Sequence, residues 1–581
     1  MKMTRMFPVI LILVLALQLG AVAPQQDKKL SGEIDAVMSE IYKPGETGAA
    51  IIVRRDSRTI FRRGYGMADL ELGVRVEPDM VFRLGSITKQ FTATAILLLA
   101  EQGKLSLQDG IGKYLPAFPT GDKQVTIEHL LTHTSGIKSY TNMEEWLQMW
   151  RQDMTPQEII AMSKDKPFEF NPGERWNYNN TGYIMLGAII EKVSGQTYEE
   201  FIKTNIFTPL GMKHSCYGNT ERVIPRRVPG YQKGNEGIIN APYLSMTQPY
   251  AAGSLLSSVD DMAVWNDAVF SGKLLKKEWL DKAFTPYKLA NGESTGYGYG
   301  WFISDLRGHR CIEHGGGING FTSYTISLPD DRVYVAILTN STIAGRAPEP
   351  RAVRIAELVL GLPAAKRQPV VLTANELDAL VGVYENPDGE ARFITREGAQ
   401  LFSQRAGGAK YPILPASPTE FFFADQPTVI RFQQGSDGRS SGLRVQARIG
   451  PAEVYKRTDK PLPVDRKEII LKPELLGRYT GEYELMPGFS IVITNEAGHL
   501  MGQATGQPKI ELFAESETNF FLKVVDAQIV FDLDAVVALV HFDARHHVRA
   551  EKHPVPLANI VELDREGIRG IQNLLRTQQQ R

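Results

Sequence analysis

Ser86 and Lys89 lie three residues apart in the stretch RLGSITKQF, and their side chains could form a nucleophile and its base. Residues at positions i and i+3 share one face of a helix, so the serine hydroxyl and the lysine amine could share a hydrogen bond. The apolar run TAILLLA (94–100) that follows would bury the lysine. Burial disfavours the charged ammonium and lowers its pKa, so a neutral amine could accept the serine proton. The pattern therefore favours nucleophilic catalysis by Ser86.

The same spacing occurs at two other places, so spacing alone does not identify the nucleophile. Ser135 and Lys138 lie in the turn-like stretch THTSGIK, and Ser163 and Lys166 lie in the charged stretch SKDKPFE. Neither stretch contains an apolar run that would bury its lysine. Further motifs are needed to choose among the three pairs.

Two such motifs follow in the chain. The stretch PGERWNYNNTGY (172–183) contains Tyr178 and Asn180, and the stretch EHGGGINGF (313–321) contains His314. Taken singly, Tyr178 is typical of a core tyrosine and the glycine run is typical of a tight turn before a strand. Together with Ser86-x-x-Lys89, the three motifs in this order resemble the penicillin-recognising serine hydrolases. These include class C β-lactamases, D-Ala-D-Ala carboxypeptidases, D-aminopeptidases and related esterases.

The resemblance extends over about residues 30–360, since the flanking stretches LLTHTSGI (130–137), PLGM (209–212) and AAGSLLSSVDDMAVW (251–265) are similar to those of the family as well. It implies an α+β fold, with helices on an antiparallel sheet beside an all-helical lobe and the active site between them. In such a site Ser86 would attack a carbonyl carbon. Lys89 and Tyr178 would share the proton transfers, and Asn180 would orient Lys89 and bind the substrate amide.

The family resemblance also assigns the glycine-rich motif to the edge of the sheet. His314 would stand where β-lactamases carry a lysine and would hold the hydrogen-bond network of Tyr178. The N–H groups of Ser86 and Gly317 would form the oxyanion hole, and Gly315 and Gly316 would help to bind the substrate. No metal ion or cofactor is implied.

This edge also suggests what the site rejects. Class C β-lactamases carry Lys-Thr-Gly there, and those side chains help to hold a substrate carboxylate. Gly315 has no hydroxyl, and His314 would be largely neutral at pH 7 if its pKa were near the ordinary value of about 6.5. The sequence therefore predicts that β-lactams and peptides with a free carboxylate beside the scissile bond are poor substrates. It also predicts that Gly315→Thr improves β-lactam acylation more than ester hydrolysis.

Two other patterns carry less weight. Gly438 to Gly442 (GRSSG) matches the Gly-x-Ser-x-Gly elbow of other hydrolases, but it lies in a flexible polar stretch, without the strand-turn-helix context that the elbow needs. His129 and His133 have the i, i+4 spacing of zinc ligands but lack the adjacent glutamate of a zinc protease. Structural histidines are the favoured interpretation.

The elements that must position these residues can be predicted from periodicity. Residues 48–66 are typical of two strands around a polar turn, and FTATAILLLAEQGKL is typical of a helix that ends at Gly103. Residues 181–207 favour two helices broken near Ser194 and Gly195. Residues 321–340 favour a β-hairpin, and 350–363 favour a closing helix. We expect the hydrolase domain to span residues 28–362.

After a short linker the chain repeats itself at an offset of 99 residues. The stretch FITREGAQLFSQ (393–404) matches VITNEAGHLMGQ (492–503), and SPTEFF (417–422) matches SETNFF (516–521). Each copy alternates apolar and polar residues, which is typical of antiparallel strands. Short strands of this number must close to remove their edges. We therefore predict two small lipocalin-like β-barrels, at 375–460 and 468–557, and a C-terminal tail at 558–581.

The chain as a whole sets broader limits. Its 581 residues require more than one core, and its net charge of −1 gives no electrostatic footprint for nucleic acid. Residues 1–26, with Lys2 and Arg5 before the apolar run FPVILILVLALQLGAVA, are typical of a signal peptide, with an uncleaved anchor as the alternative. The only two cysteines, Cys216 and Cys311, could pair or remain two separate thiols.

The sequence thus predicts a secreted or periplasmic serine hydrolase that forms an acyl-enzyme with a small peptide, amide or ester. A peptidase or amidase of D-aminopeptidase type and an esterase are the favoured activities. A β-lactamase or DD-carboxypeptidase, and a non-catalytic penicillin-binding sensor or interaction module, remain open as alternatives. An intact set of Ser86, Lys89, Tyr178, Asn180 and His314 argues against the non-catalytic alternative.

Overall fold

The computed structural model describes residues 28–552 apart from short gaps, which are 235–236, 364–367, 388, 407, 409, 425–427, 463–467, 487–488, 506–508, 523–526, 533–536 and 543–545. The chain divides into two compact units. The first contains the chain up to Gln368 together with two short later segments, 428–430 and Val445–Glu453; the second contains the remainder. The predicted signal peptide and C-terminal tail lie outside the described residues. Within those residues, every helix is too short or too polar to cross a bilayer.

Thirteen strands belong to the first unit: β1 (Ala49–Arg55), β2 (Arg58–Tyr65), β3 (Met67–Asp69), β4 (Val74–Arg75), β5 (Phe82–Arg83), β6 (Cys216–Tyr217), β7 (Tyr231–Lys233), β8 (Ile238–Asn240), β9 (Leu255–Ser257), β10 (Phe302–Leu306), β11 (His309–Ile318), β12 (Phe321–Leu328) and β13 (Val333–Thr339). Six of them form one antiparallel sheet in the order β10-β11-β12-β13-β1-β2. The two hairpins predicted at 48–66 and 321–340 are confirmed as β1-β2 and β12-β13.

The α-helices of the first unit are α1 (28–39), α2 (Thr88–Glu101), α3 (Ile127–Leu131), α4 (Glu144–Met149), α5 (Pro156–Met162), α6 (Asn180–Ser194), α7 (Tyr198–Ile202), α8 (Thr208–Leu210), α9 (Tyr250–Gly253), α10 (Val259–Phe270), α11 (Lys277–Ala283) and α12 (Pro348–Val359). A π-helical turn, Lys203–Phe207, connects α7 to α8. The predicted break after Ser194 is confirmed, because Gly195 ends α6 in the left-handed conformation.

The six-stranded sheet is covered on both faces. On one face Ala49, Ile51 and Val53 of β1 pack with α1 and α12. On the other face Ala50 and Ile52 belong to a larger core with α2, α6 and α10. Since no face of the central strands meets water, β13 is buried along its whole length and its sequence VYVAILT is continuously apolar.

Two closed eight-stranded barrels follow in the chain, and apart from the segments 428–430 and Val445–Glu453 their residues belong to the second unit. The strands of the first barrel are β14 (Gly382–Glu385), β15 (Ala391–Glu397), β16 (Gln400–Arg405), β17 (Lys410–Pro415), β18 (Glu420–Phe422), β19 (Val429–Gln434), β20 (Ser440–Gln446) and β21 (Glu453–Thr458). Those of the second barrel are β22 (Gly481–Met486), β23 (Phe489–Glu496), β24 (His499–Ala504), β25 (Ile510–Ala514), β26 (Asn519–Phe521), β27 (Ala527–Asp532), β28 (Val537–Phe542) and β29 (His546–Lys552). A short helix precedes each barrel, α13 (Ala374–Asp378) and α14 (Pro473–Tyr479).

The two barrels repeat each other at the predicted offset. Gly382 pairs with Ile394 in the first barrel, and Gly481 pairs with Ile493 in the second. The hydroxyl of Tyr384 donates to the Leu380 carbonyl at 2.7 Å, and that of Tyr483 donates to the Tyr479 carbonyl at 2.9 Å. Each of these positions lies 99 residues from its counterpart, so the duplication is confirmed. The predicted fold class is confirmed with it.

Candidate active site

Ser86 lies in a tight 3₁₀ turn, Gly85–Ile87, that leads from β5 directly into α2. Gly85 has a φ of +56°, and a Cβ added to it would lie 2.9 Å from the Gly317 nitrogen on β11. Both the positive φ and the close approach require glycine here. The turn is therefore held against the backbone of β11, which brings the start of α2 beside the predicted oxyanion-hole residue Gly317.

Lys89 lies one helical turn beyond Ser86 and is 0% exposed. Its Nζ is 3.2 Å from Ser86 Oγ, 2.9 Å from Asn180 Oδ1 and 2.9 Å from the Ala252 carbonyl oxygen. Burial lowers the pKa of Lys89 well below its ordinary value. A neutral amine has two N–H groups and one lone pair. Because the Ala252 carbonyl and the Asn180 amide oxygen can only accept, they take the two N–H groups and leave the lone pair for the Ser86 hydroxyl.

The other two Ser-x-x-Lys pairs have a different environment. Lys138 forms an ion pair with Glu169 at 2.8 Å, and Lys166 forms one with Glu145 at 3.0 Å. Both lysine side chains are more than a third exposed. Among the described residues Lys89 has no carboxylate partner, so only this lysine of the three is both buried and uncompensated.

Tyr178 and Asn180 stand on either side of the residue that caps α6. The side chain of Asn179 accepts from the Gly182 N–H, so the helix begins at Asn180. The Asn180 amide donates to Thr141 Oγ1 at 3.1 Å. That bond fixes the amide oxygen toward Lys89. The Tyr-x-Asn spacing therefore places one side chain before the helix and one at its first position.

Tyr178 lies over the Lys89 amine, with Nζ 4.7 Å from the ring centroid. Its hydroxyl is buried and makes no normal hydrogen bond to any described residue. Burial raises the pKa of Tyr178, and the nearby Ser86 side chain offsets this in part. The phenol is therefore protonated at neutral pH, with a donor left unused in the ground state.

His314 is buried on β11, and both of its ring nitrogens are occupied. Nδ1 is 2.6 Å from the Gly315 carbonyl oxygen, which can only accept, so Nδ1 carries the proton and Nε2 accepts from the Tyr297 hydroxyl at 3.1 Å. Burial, then the nearby Lys89, lower the pKa of His314 to about 3. The histidine is neutral at pH 7.

The partner of His314 differs from the prediction. His314 was expected to hold the hydrogen-bond network of Tyr178, but its hydrogen bond goes to Tyr297, and the His314 and Tyr178 rings are 6.2 Å apart. Tyr297 is the nearer tyrosine, since its ring lies 5.8 Å from that of His314 and its hydroxyl reaches Nε2.

The three glycines after His314 serve different purposes. A Cβ on Gly316 would lie 1.9 Å from the Leu84 carbonyl oxygen, so β11 can approach the nucleophile turn only with glycine there. A Cβ on Gly315 would lie 3.2 Å from the Tyr324 ring. Successive strand residues point to opposite faces, so position 315 faces away from His314. A threonine at 315 would therefore lie against Tyr324, and the effect of Gly315→Thr on β-lactam acylation stays a prediction.

His133 is a site residue that the sequence analysis did not identify. Its ring lies 4.3 Å from the Tyr178 ring and 4.8 Å from the Tyr297 ring, and its Nδ1 accepts the Asn179 N–H at 3.0 Å. Burial lowers its pKa well below the ordinary value. Its place in LLTHTSGI was the available signal. His129 instead caps α3 with Thr126, so only this member of the i, i+4 pair is purely structural.

The remaining candidate positions lie outside this site. Ser440 of the Gly-x-Ser-x-Gly match is a buried residue of β20, and its hydroxyl donates to the Gly442 carbonyl. Cys216 and Cys311 are both free thiols.

Comparison with known families agrees with this geometry. The profile of the family described as Beta-lactamase matches residues 34–360, which is more than half of the chain. The chain belongs to this family. A second profile, described as a domain of unknown function (DUF3471), matches residues 465–552, which contain the second barrel.

Individual relatives of this Beta-lactamase family member are also similar. The chain is 31% identical over 409 residues to Penicillin-binding protein 4* of Bacillus subtilis (strain 168), covering 66% of this chain and 89% of that protein. The octameric penicillin-binding protein homologue from Pyrococcus abyssi matches with a TM-score of 0.53 and 29% identity, covering 74% of this chain and 99% of that one. D-amino acid amidase from Ochrobactrum anthropi SV3 shares the fold, with a TM-score of 0.52 and 24% identity, over 57% of this chain and 99% of that one.

Proposed function

We propose that this chain is a serine hydrolase that forms an acyl-enzyme on Ser86. One observation carries the proposal: the Lys89 amine is 3.2 Å from the Ser86 hydroxyl, fully buried and without a carboxylate partner among the described residues. A lysine in that state is a base at neutral pH. A module that bound its ligand without acylation would gain nothing from a buried neutral amine, which costs folding energy.

The reaction follows from these contacts. Ser86 Oγ attacks the substrate carbonyl carbon while its proton moves to the Lys89 lone pair. The N–H groups of Ser86 and Gly317 would stabilise the oxyanion, an interaction commonly worth several kcal/mol. The Tyr178 hydroxyl makes no normal hydrogen bond to any described residue. It would give its proton to the leaving nitrogen or oxygen and recover one from Lys89. A water molecule then reverses these steps and releases the acid.

We further propose that the preferred substrates are amides, peptides or esters without a carboxylate beside the scissile bond. The neutral state of His314 removes one attraction for such a carboxylate, and a side chain at position 315 would face Tyr324 and could not supply another. Amides of D-amino acids are the first to test, in keeping with the resemblance to D-aminopeptidases. A panel of D-Ala and L-Ala p-nitroanilides, short p-nitrophenyl esters and nitrocefin separates these activities. Faster turnover of nitrocefin than of esters and D-aminoacyl amides would contradict the proposal.

Penicillin acylation is a second candidate, because the B. subtilis and P. abyssi relatives carry the name penicillin-binding protein. A fluorescent penicillin would then label the protein stoichiometrically at Ser86. Slow labelling without turnover, together with inactivity on all amides and esters, would favour this candidate over the first.

The nucleophile is tested directly with a fluorophosphonate probe. We expect the intact protein to be labelled at Ser86, as located by peptide mass spectrometry, and Ser86→Ala to lose all labelling while keeping its Tm. Ser440→Ala, which changes the serine of the unused Gly-x-Ser-x-Gly match, is the matched control and should label normally. Labelling at Ser135, Ser163 or Ser440 would overturn the assignment.

We also propose that the protein acts outside the cytoplasm, in the periplasm or after secretion. The support is the layout of residues 1–26, with two basic residues before an apolar run and a small-residue end. Expression of the full chain with mass determination of the mature N-terminus tests this, because cleavage near Ala23 is expected and an intact Met1 in the cytoplasmic fraction would contradict it.

A further inference from the structure

Arg448 lies in the segment Val445–Glu453, which belongs to the first unit although it comes after the hydrolase domain in the chain. Its guanidinium holds the carboxylate of Glu313 with two bonds, one from Nη1 to Oε1 at 2.8 Å and one from Nη2 to Oε2. The Glu313 side chain is 0% exposed and that of Arg448 is 9% exposed. The pair is therefore a buried, bidentate ion pair between residues far apart in sequence.

The surrounding groups complete the coordination of this carboxylate. The Tyr324 hydroxyl donates to Glu313 Oε2 at 2.7 Å, and the Ser304 hydroxyl donates to Oε1. Glu349 adds a second negative charge, with its Oε1 3.4 Å from Arg448 Nε. Arg448 is thus the cation facing two buried or partly buried carboxylates, and removing it would leave Glu313 charged without compensation.

This ion pair lies directly behind the candidate active site. Glu313 precedes His314 on β11, and its partner Tyr324 lies under Gly315. Gly450 of the same segment also lies beside Phe302, since a Cβ added to it would be 3.5 Å from the Phe302 ring. That ring is in turn 5.2 Å from the His314 ring. β11 runs against the nucleophile turn at Gly316, where a Cβ would lie 1.9 Å from the Leu84 carbonyl oxygen. A shift of β11 would therefore displace the Gly317 N–H from the turn.

We propose that Arg448 is a positioning residue for the reaction, which holds β11 in the place where Gly317 and His314 act by neutralising Glu313. The inference rests on the proposed hydrolase function. A buried carboxylate left without its cation is strongly disfavoured. The strand would move toward water or toward a new partner, and a displacement of about 1 Å at a reacting group can lower a rate by about 100-fold.

The experiment compares full-length variants on the best substrate of the panel. In Arg448→Met we expect kcat to fall by about tenfold to 100-fold with little change in KM, because the oxyanion hole binds only the transition state. The Tm of the first unit should also fall by several degrees, as followed by tryptophan fluorescence. The double variant Arg448→Met, Glu313→Gln should recover most of the kcat, since it removes the uncompensated charge.

Arg431→Met is the matched control, because Arg431 also pairs with a glutamate, Glu420, but at a partly exposed site. It should keep the wild-type kcat and Tm. A purely structural role for Arg448 would lower Tm and leave kcat per folded molecule unchanged at temperatures well below Tm, and that result would overturn the inference. Failure of Glu313→Gln to restore the Arg448→Met variant would overturn it as well. If the wild-type protein itself is inactive on the whole panel, the proposed function fails instead.

Discussion

Two buried basic side chains stand on opposite sides of β11, and their pKa values are shifted in opposite directions. Lys89 meets only neutral partners, and burial lowers its pKa well below the ordinary value. For Arg448 burial also acts to lower the pKa, but Glu313, Tyr324 and Glu349 outweigh it, and the pKa is raised. The comparison teaches that the partners, and not the depth of burial, decide whether a buried cation can give up its proton. One side of the strand is arranged for proton transfer and the other for fixed charge.

The largest expected effect comes from removing the cation that lacks a carboxylate. Lys89→Met should lower kcat/KM by about 10⁴-fold or more, because the serine loses its base. Lys138→Met is the control, since Lys138 belongs to a Ser-x-x-Lys pair but forms an ion pair with Glu169. Steady-state kinetics on the best substrate measures both. Equal losses in the two variants, or activity in Lys89→Met within tenfold of the wild type, would show that Lys89 is not the base.

A smaller effect should follow when Lys89 is given the kind of partner that Arg448 has. Asn180→Asp places a carboxylate about where Oδ1 now lies, 2.9 Å from Lys89 Nζ. An adjacent negative charge favours the protonated amine and raises its pKa. We expect kcat/KM at pH 7 to fall by about tenfold to 100-fold, and the pH-rate profile to move to higher pH. Asn142→Asp, at an exposed position of the neighbouring turn Tyr140–Asn142, should change neither. An unshifted profile in Asn180→Asp would contradict the role of Lys89.

The smallest effect concerns stability against pH. The pKa of His314 is lowered to about 3 by burial and then by Lys89, whereas an unfolded histidine titrates near about 6.5. Between these values only the unfolded chain binds the proton. The free energy of unfolding should therefore fall as the pH is lowered from about 6.5 toward 3, by up to about 1.4 kcal/mol per pH unit for this group.

Tryptophan fluorescence of the full chain reports this slope for the first unit, because all six tryptophans lie between residues 146 and 301. His314→Gln should flatten the slope, and His133, whose pKa burial also lowers, should account for a further part of it. His499→Gln, a change at an exposed histidine of the second barrel, should leave it unaltered. A His314→Gln slope equal to that of the wild type would mean that His314 is already protonated in the folded protein.

The parts of this structure that the sequence could predict are those that depend on near neighbours or on repetition. The pairing of Ser86 with Lys89 needs one helical turn, and its burial follows from the apolar run behind it. The hairpin β12-β13 and the break at Gly195 depend on local turn chemistry. The two barrels could be predicted because the same sequence pattern recurs at an offset of 99 residues, which reveals a duplicated domain.

The features that the sequence did not predict depend on contacts between distant residues or on strand register. The direction of position 315 is set by the alternation of β11 within a sheet whose register the sequence does not show. The Tyr297 partner of His314 comes from a loop without a regular pattern. Arg448 and Glu313 are separated by 135 residues, and nothing local to either residue marks the pairing. Long-range charge pairs of this kind leave no periodic trace in one sequence.

The glycine run of β11 has a consequence for how this protein could be diversified in the laboratory. Positions 85 and 316 have no space for any side chain, whereas a Cβ on Gly317 would meet no atom within 4 Å. In a saturation library, selection for folded protein alone would return only glycine at the first two positions and a mixture of small residues at 317. Sequence variation in this part of the strand is therefore accessible at residue 317, while its neighbour one residue earlier is closed to it.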